Sequence, residues 1–196
     1  MPCPTAYNTA TAMDQGIDLP HRCSIRIRGF DYRQRGAYFV TIVAHRKQFL
    51  FGEVNFGAMK LSLLGDVANE CWMEIPHHFP NIELPGHIVM PNHIHGIIVI
   101  RGAGIREKEI LPESFGKPVP ESLPTILCSF KAAVTLRARR NLHPPGLPVW
   151  QRGYYEHVIR NEDEFREIVK YIRENPRRWE FDSENPFGVR SEEWNF

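Results

Sequence analysis

The residues of this chain best suited to chemistry are two histidines and a tyrosine–asparagine pair. His93 and His95 stand at alternate positions in Pro91-Asn-His-Ile-His-Gly-Ile-Ile-Val-Ile100. Side chains at i and i+2 leave a strand on the same face, with a rise of roughly 3.3 Å per residue. Two imidazoles so placed can converge on one cation. An isolated His-x-His is most often a solvated pair on an edge strand. Here Gly96 to Ile100 reads as a buried strand opened by a Met90-Pro91-Asn92 turn, so both rings need polar partners. The other pair lies in Asn161 to Pro176. Asn161 suits an N-cap, acids follow it, and Pro176 closes the segment. Phe165, Ile168, Val169 and Ile172 make one apolar stripe. At about 100° per residue, Tyr171 and Asn175 fall about 40° apart on its flank, one turn from each other. A phenol and a carboxamide therefore point the same way at the border of the core.

The elements around them follow from pattern. Gly36 to Val43, rich in β-branched and aromatic residues, is expected to be a central strand, and Glu53 to Lys60 a shorter one. Leu63, Leu64, Val67, Ala68, Cys71, Trp72 and Ile75 keep helical spacing. A strand near Ile88 precedes the histidine strand. The polar stretch 102–122 is expected to be a mobile loop. A second helix starts at Pro124, carries Ile126, Leu127, Phe130 and Val134, and ends basic at Arg137, Arg139 and Arg140. Trp150 to Ile159 is expected to be extended. This order argues for an α+β class, an antiparallel sheet with helices on one face.

Length and composition set the limits. The 196 residues, 42% hydrophobic and 24% charged, suit one soluble domain. No apolar run approaches the roughly 20 residues that cross a bilayer, so no membrane partner is expected. Residues 1–21 lack the basic start and apolar core of a signal peptide and are expected to be a disordered leader, with 22–182 as the domain and 183–196 as a tail. Cys3, Cys23, Cys71 and Cys128 form no Cys-x-x-Cys, which argues against a zinc knuckle and for a reduced, cytoplasmic setting with Cys71 and Cys128 buried. A net charge of +1 hides local surpluses: residues 1–50 hold seven Lys/Arg against three Asp/Glu, and 123–180 eleven against seven. Arg26 and Arg28, alternating with Ile25 and Ile27, share a strand face and with Lys131 and Arg152 are candidates for binding phosphate. A solvated edge strand accounts for the arginine pair equally well.

Pro91-Asn-His-Ile-His95 and the helix-closing Tyr171-Ile-Arg-Glu-Asn-Pro176 together resemble the single-tyrosine transposases of the His-hydrophobic-His superfamily. The likeness is nearer to the repeat-associated tyrosine transposases. Ser24 to Tyr32, Gly36 to Thr41, Ser129-Phe-Lys-Ala132 and Val149 to Asn161 agree, so the resemblance runs from about residue 22 to 182. It implies a ferredoxin-like palm with the histidines on a central strand. It also implies magnesium or manganese held by His93, His95 and Asn175, and Tyr171 as the nucleophile that cuts single-stranded or hairpin DNA through a 5′-phosphotyrosine. Tyr154 and Tyr155 are weaker nucleophile candidates, because neither has a carboxamide one turn on. A monomer and a homodimer both occur in such proteins. The alternative is a DNA-hairpin-binding protein that keeps the fold without turnover. A His-x-His-x-Asp metallohydrolase is disfavoured, since Ile97 stands at the aspartate position.

Overall fold

The computed structural model describes residues 35–102, 120–140, 142, 144 and 146–189. The leader 1–21, Arg26, Arg28, residues 103–119 of the expected loop and residues 190–196 of the expected tail lie outside the described residues. In chain order the elements are β1 (Gly36–Val43), a turn at His45–Lys47, β2 (Gly52–Asn55), β3 (Ala58–Leu61), α1 (Leu63–Met73), α2 (Ile75–His78), β4 (Ile82–Val89), β5 (His93–Ile100), α3 (Leu123–Ala138), β6 (Tyr155–Ile159), α4 (Glu162–Glu174) and a 3₁₀ segment (Asn175–Phe181).

Four strands make one sheet in the order β4-β5-β1-β6, every pair antiparallel. With the β2–β3 hairpin set aside, β1-α1-β4-β5-α3-β6 is a split βαββαβ, the ferredoxin-like arrangement. The apolar centre of the chain supplies the two inner strands, β1 and β5, while Pro85 sits in the outer strand β4 inside a register shift between Glu83 and Gly86. Proline has no N–H for a ladder, so an edge strand at an irregularity is where it costs least.

Strand alternation divides the core. Ile94, Gly96 and Ile98 of β5 face α1 and α3, where Trp72, Leu127 and Phe130 are buried. Trp72 lies so close to β5 that a Cβ on Gly96 would come within 2.2 Å of its ring. His93, His95 and Ile97 point to the other face, where Ile97, Ile159 and Ile172 form a cluster flanked by Phe39, Phe165, Ile168, Val169 and Tyr171. The two crossover helices therefore share one face, as expected. The tyrosine helix α4 does not share it. It follows the last strand, is free of the crossover constraint, and covers the histidine face.

Sequence pattern and structure differ at smaller places too. Of the expected extended segment Trp150 to Ile159 only Tyr155–Ile159 is strand, the chain bending at Arg152 and Gly153, where Gly153 takes φ 78°. The expected strand Glu53 to Lys60 is a hairpin, because Phe56 (φ 51°) and Gly57 (φ 72°) take the left-handed conformations of a tight two-residue turn. Cys128 is exposed rather than buried, since α3 turns Leu127 inward and its neighbour falls about 100° away. Cys71 is buried. Among the described residues no helix is long and apolar enough to cross a membrane.

Gly96→Ala should destabilise the fold by about 1–3 kcal/mol, the usual cost of overpacking a filled core. Urea unfolding of the variant beside the wild type measures this, and an unchanged midpoint would mean that the Trp72 ring yields freely.

Candidate functional site

The turn before β5 sets the first histidine. Met90 N–H donates to His93 O at 2.8 Å, and Ala44 N–H to Asn92 O at 2.7 Å, so Asn92 is held between two strands. The Asn92 amide donates from Nδ2 to Glu184 O at 2.7 Å and to Lys47 O at 3.3 Å. Its Oδ1 must then be the acceptor for His93 Nδ1–H, 2.9 Å away. That assignment leaves His93 Nε2 as a bare lone pair, fully buried and without a hydrogen-bond partner. His95 is held in the same manner by Thr41 Oγ1, 2.9 Å from its Nδ1, because β1 pairs Thr41 with His95. On the other side of that ring, His95 Nε2 lies 3.2 Å from the Tyr171 hydroxyl and accepts from it when Nδ1 carries the ring proton.

The α4 helix and the 3₁₀ segment bring the remaining groups. Asn161 caps α4 by accepting from Glu164 N–H at 2.9 Å, and three acids fill its first turn, which fixes where the helix begins and so which way Tyr171 points. Tyr171 packs edge-on against Phe39, with ring centroids 6.0 Å apart. One turn on, Asn175 is buried; its Nδ2 donates to Asp182 Oδ2 at 2.8 Å while its Oδ1 has no partner. Asp182 Oδ2 in turn lies 3.8 Å from His93 Nε2 and 4.0 Å from His95 Nε2. Ser183 to Val189 then stay against the domain: Lys47 Nζ donates to Ser183 O at 3.1 Å and Val189 N–H to Glu180 O at 2.7 Å.

The electrostatics of this group ask for a cation. Burial, and after it the neighbouring His95, hold the His93 imidazole well below its ordinary range and hence neutral, against the pull of Asp182. Burial alone would raise the Asp182 carboxyl, but the nearby His95 and His93 and the hydrogen bond from Glu184 N–H carry it well below the usual carboxylate range. The result is a buried anion beside a neutral His93 ring, a costly state without a counter-charge. Burial, followed by the Asp182 and Glu184 carboxylates, also raises the Tyr171 phenol, with Asn175 opposing.

One ligand atom each from His93, His95 and Asp182 lies within 4.8 Å of the others. Divalent ions bind such atoms at about 2.0–2.2 Å, so donors around one ion are separated by roughly 3 Å when adjacent and by up to about twice the bond length when opposite. Within that group His93 Nε2 has no other partner, and the unpartnered Asn175 Oδ1 adds a fourth donor. Two imidazoles, a carboxylate and a carboxamide oxygen fit a divalent metal with a substantial oxygen share, where magnesium or manganese is at home.

Thus His93, His95, Tyr171 and Asn175 come together, joined by Asp182, Asn92 and Thr41, which the sequence reading did not single out. Asp182 was passed over because Pro176 ends the helix and nothing in the spacing says that the chain returns. Lys131, a candidate for phosphate, commits its ammonium to Gln151 O at 2.8 Å and Gly153 O at 2.9 Å, and burial lowers its pKa to about 8. Arg152 is exposed, and Tyr155 lies on β6 opposite Thr41, half-exposed and on the histidine face.

No family model matches this chain. A Haemophilus influenzae protein, itself uncharacterised, is 40% identical over 170 residues, which cover 84% of this chain and 93% of that one. Among solved structures, a REP-associated tyrosine transposase bound to a REP hairpin superposes with a TM-score of 0.53 at 21% identity, over 81% of this chain and 74% of the other. At that identity the likeness is one of fold.

Manganese or magnesium at a hundred-fold excess over its Kd should stabilise the protein by about 2.7 kcal/mol. His93→Ala should lose that gain, and Asn92→Ala should weaken metal binding by roughly 10–100-fold through the loosened imidazole. Titration calorimetry with manganese and melting curves with and without metal report both; equal stabilisation of the His93 variant would remove the site.

Proposed function

We propose that this chain, which belongs to the family of the Haemophilus influenzae protein and has the fold of a REP-associated tyrosine transposase, cuts and rejoins single-stranded or hairpin DNA with Tyr171 as nucleophile. The observation that carries the reading is the Tyr171 hydroxyl at 3.2 Å from His95 Nε2, at the rim of the buried His93–His95–Asp182 group.

The chemistry is a phosphoryl transfer. Tyr171 oxygen attacks phosphorus, the bond from phosphorus to the 3′-oxygen breaks, and the products are a 5′-phosphotyrosine and a 3′-hydroxyl. The phenol proton leaves to water and the departing 3′-oxygen gains one. Because the phosphodiester energy stays in the linkage, rejoining by a 3′-hydroxyl needs no nucleotide cofactor. A divalent metal on His93, His95, Asp182 and the Asn175 carboxamide oxygen would neutralise and orient the phosphate oxygens. Asn92 and Thr41 keep both imidazoles aimed at that place. His95 would be a ligand of such a metal, and its Nε2, 3.2 Å from the Tyr171 hydroxyl, keeps the phenol beside the site. Phe39 limits the ring to a narrow arc on the histidine face.

The alternative nucleophile is Tyr155, which shares that face but stands beyond Thr41 and has no bond to either histidine in the described structure. DNA contacts of Arg26 and Arg28 belong to this reading as well, and Arg152 is the exposed member of the second basic surplus.

Tyr171→Phe should abolish covalent protein–DNA adducts, a loss of at least about 10³-fold for deletion of a nucleophile, while leaving hairpin binding intact. Denaturing gels of labelled hairpin DNA with magnesium or manganese read the adduct. An adduct in the Phe variant that Tyr155→Phe then removes would transfer the role to Tyr155. Binding without any adduct in the wild type would support the non-catalytic hairpin binder.

A further inference from the structure

Beside the histidine site lies a group of aromatic rings that the fold does not bury. Phe49, after the His45–Lys47 turn, meets Trp179 at 5.6 Å and Phe187 at 5.8 Å between ring centroids, both edge-to-face. Trp179 in turn lies 5.9 Å from the His93 ring, so the group adjoins the candidate metal centre. Phe187 is 85% exposed and Phe49 44%. Two exposed phenylalanines meeting a half-buried tryptophan at the surface, rather than in the core, have gained little from folding.

The backbone beneath them is strained. Arg46 and Lys47 both have φ of 54°, two successive side-chain-bearing residues in a conformation that such residues rarely adopt. Strain of this kind gathers at functional sites, where surrounding structure maintains it. Here Lys47 is tied to Ser183 O and to the Glu184 carboxylate, each at 3.1 Å, which locks the turn to the segment carrying Phe187. Arg46 and Arg177, on the two segments that supply Phe49 and Trp179, are exposed and have no ion-pair partner among the described residues.

We propose that Phe49, Trp179 and Phe187 form a stacking platform for an unpaired nucleotide next to the phosphate that Tyr171 attacks, with Arg46 and Arg177 on the adjoining phosphates. The inference rests on the DNA-cleaving reading above and supplies a preference for unpaired DNA. Duplex bases hide their faces in the stack. An unpaired base offers one, and aromatic stacking with flanking cations is the general solution for single strands.

The test uses the full chain and two probes, a DNA hairpin with an oligothymidylate tail and the same hairpin with abasic sites in the tail. Anisotropy should show the wild type binding the abasic probe about ten-fold more weakly, the effect of a lost base stack. Phe49→Ala with Phe187→Ala should bring that ratio close to one at an unchanged melting temperature. Phe187→Trp should keep the discrimination and Phe187→Leu should reduce it, which separates stacking from mere apolar contact; should the double variant fail to fold, this pair of single variants decides. Undiminished discrimination in the double variant, none in the wild type, or no DNA binding at all overturns the platform. Self-association that the double variant loses, with DNA binding unmoved, also overturns it and marks the rings as a contact with a second copy. If tyrosine adducts form while discrimination survives ring removal, only the platform falls. If discrimination depends on the rings while no adduct forms, the platform stands and the catalytic reading falls.

Discussion

The antiparallel pairing of β5 with β1 governs the geometry of everything around the site. It sets His95 opposite Thr41 and His93 opposite Val43, so the hydroxyl that orients one imidazole arrives by strand register. A slip of one residue would send both histidines to the face where Trp72 closes over Gly96. The alternation that builds the hydrophobic core and the alternation that aims the histidines are one and the same. A functional pair on an inner strand is thereby positioned as rigidly as the core itself.

What this pairing creates is a local imbalance of charge. A neutral His93 ring and an ionised carboxylate are buried beside His95, which is bonded to Tyr171, and the Nε2 lone pair of His93 has no proton to accept. Lys131 and Arg137, by contrast, have their partners: Lys131 has two carbonyls, and Arg137 has Glu74. The contrast separates a region built for stability from a group of residues that could hold a cation. It also explains why Lys131, a reasonable phosphate contact by residue type, is better understood as a latch holding the Gln151–Gly153 turn to α3.

The segment after α4 has more to do than close the chain. Through Asp182, the backbone of Glu184 and the ring of Trp179 it touches the carboxamide of Asn175, the amide of Asn92 and the imidazole of His93. Second contacts of this kind give ligands their orientation, and they place the aromatic surface next to the chemistry.

Much was legible from residue order alone. Period-two spacing put His93 and His95 on one strand face, and period-3.6 spacing put Tyr171 beside Asn175 with Asn161 as cap, because these relations are local and set by backbone geometry. The antiparallel α+β class followed from the order of the elements. What the spacing could not contain was any relation across the chain. Asp182 reaches the histidines only because the 3₁₀ segment turns the chain back; Thr41 meets His95 only through sheet register; α4 covers the face opposite the crossover helices because no second strand constrains it; and the Glu53–Lys60 stretch is a hairpin because Phe56 and Gly57 go left-handed. Local periodicity decides which face a side chain takes. Long-range packing decides what it meets there, and the charge and hydrogen-bonding of the candidate site depend on that meeting.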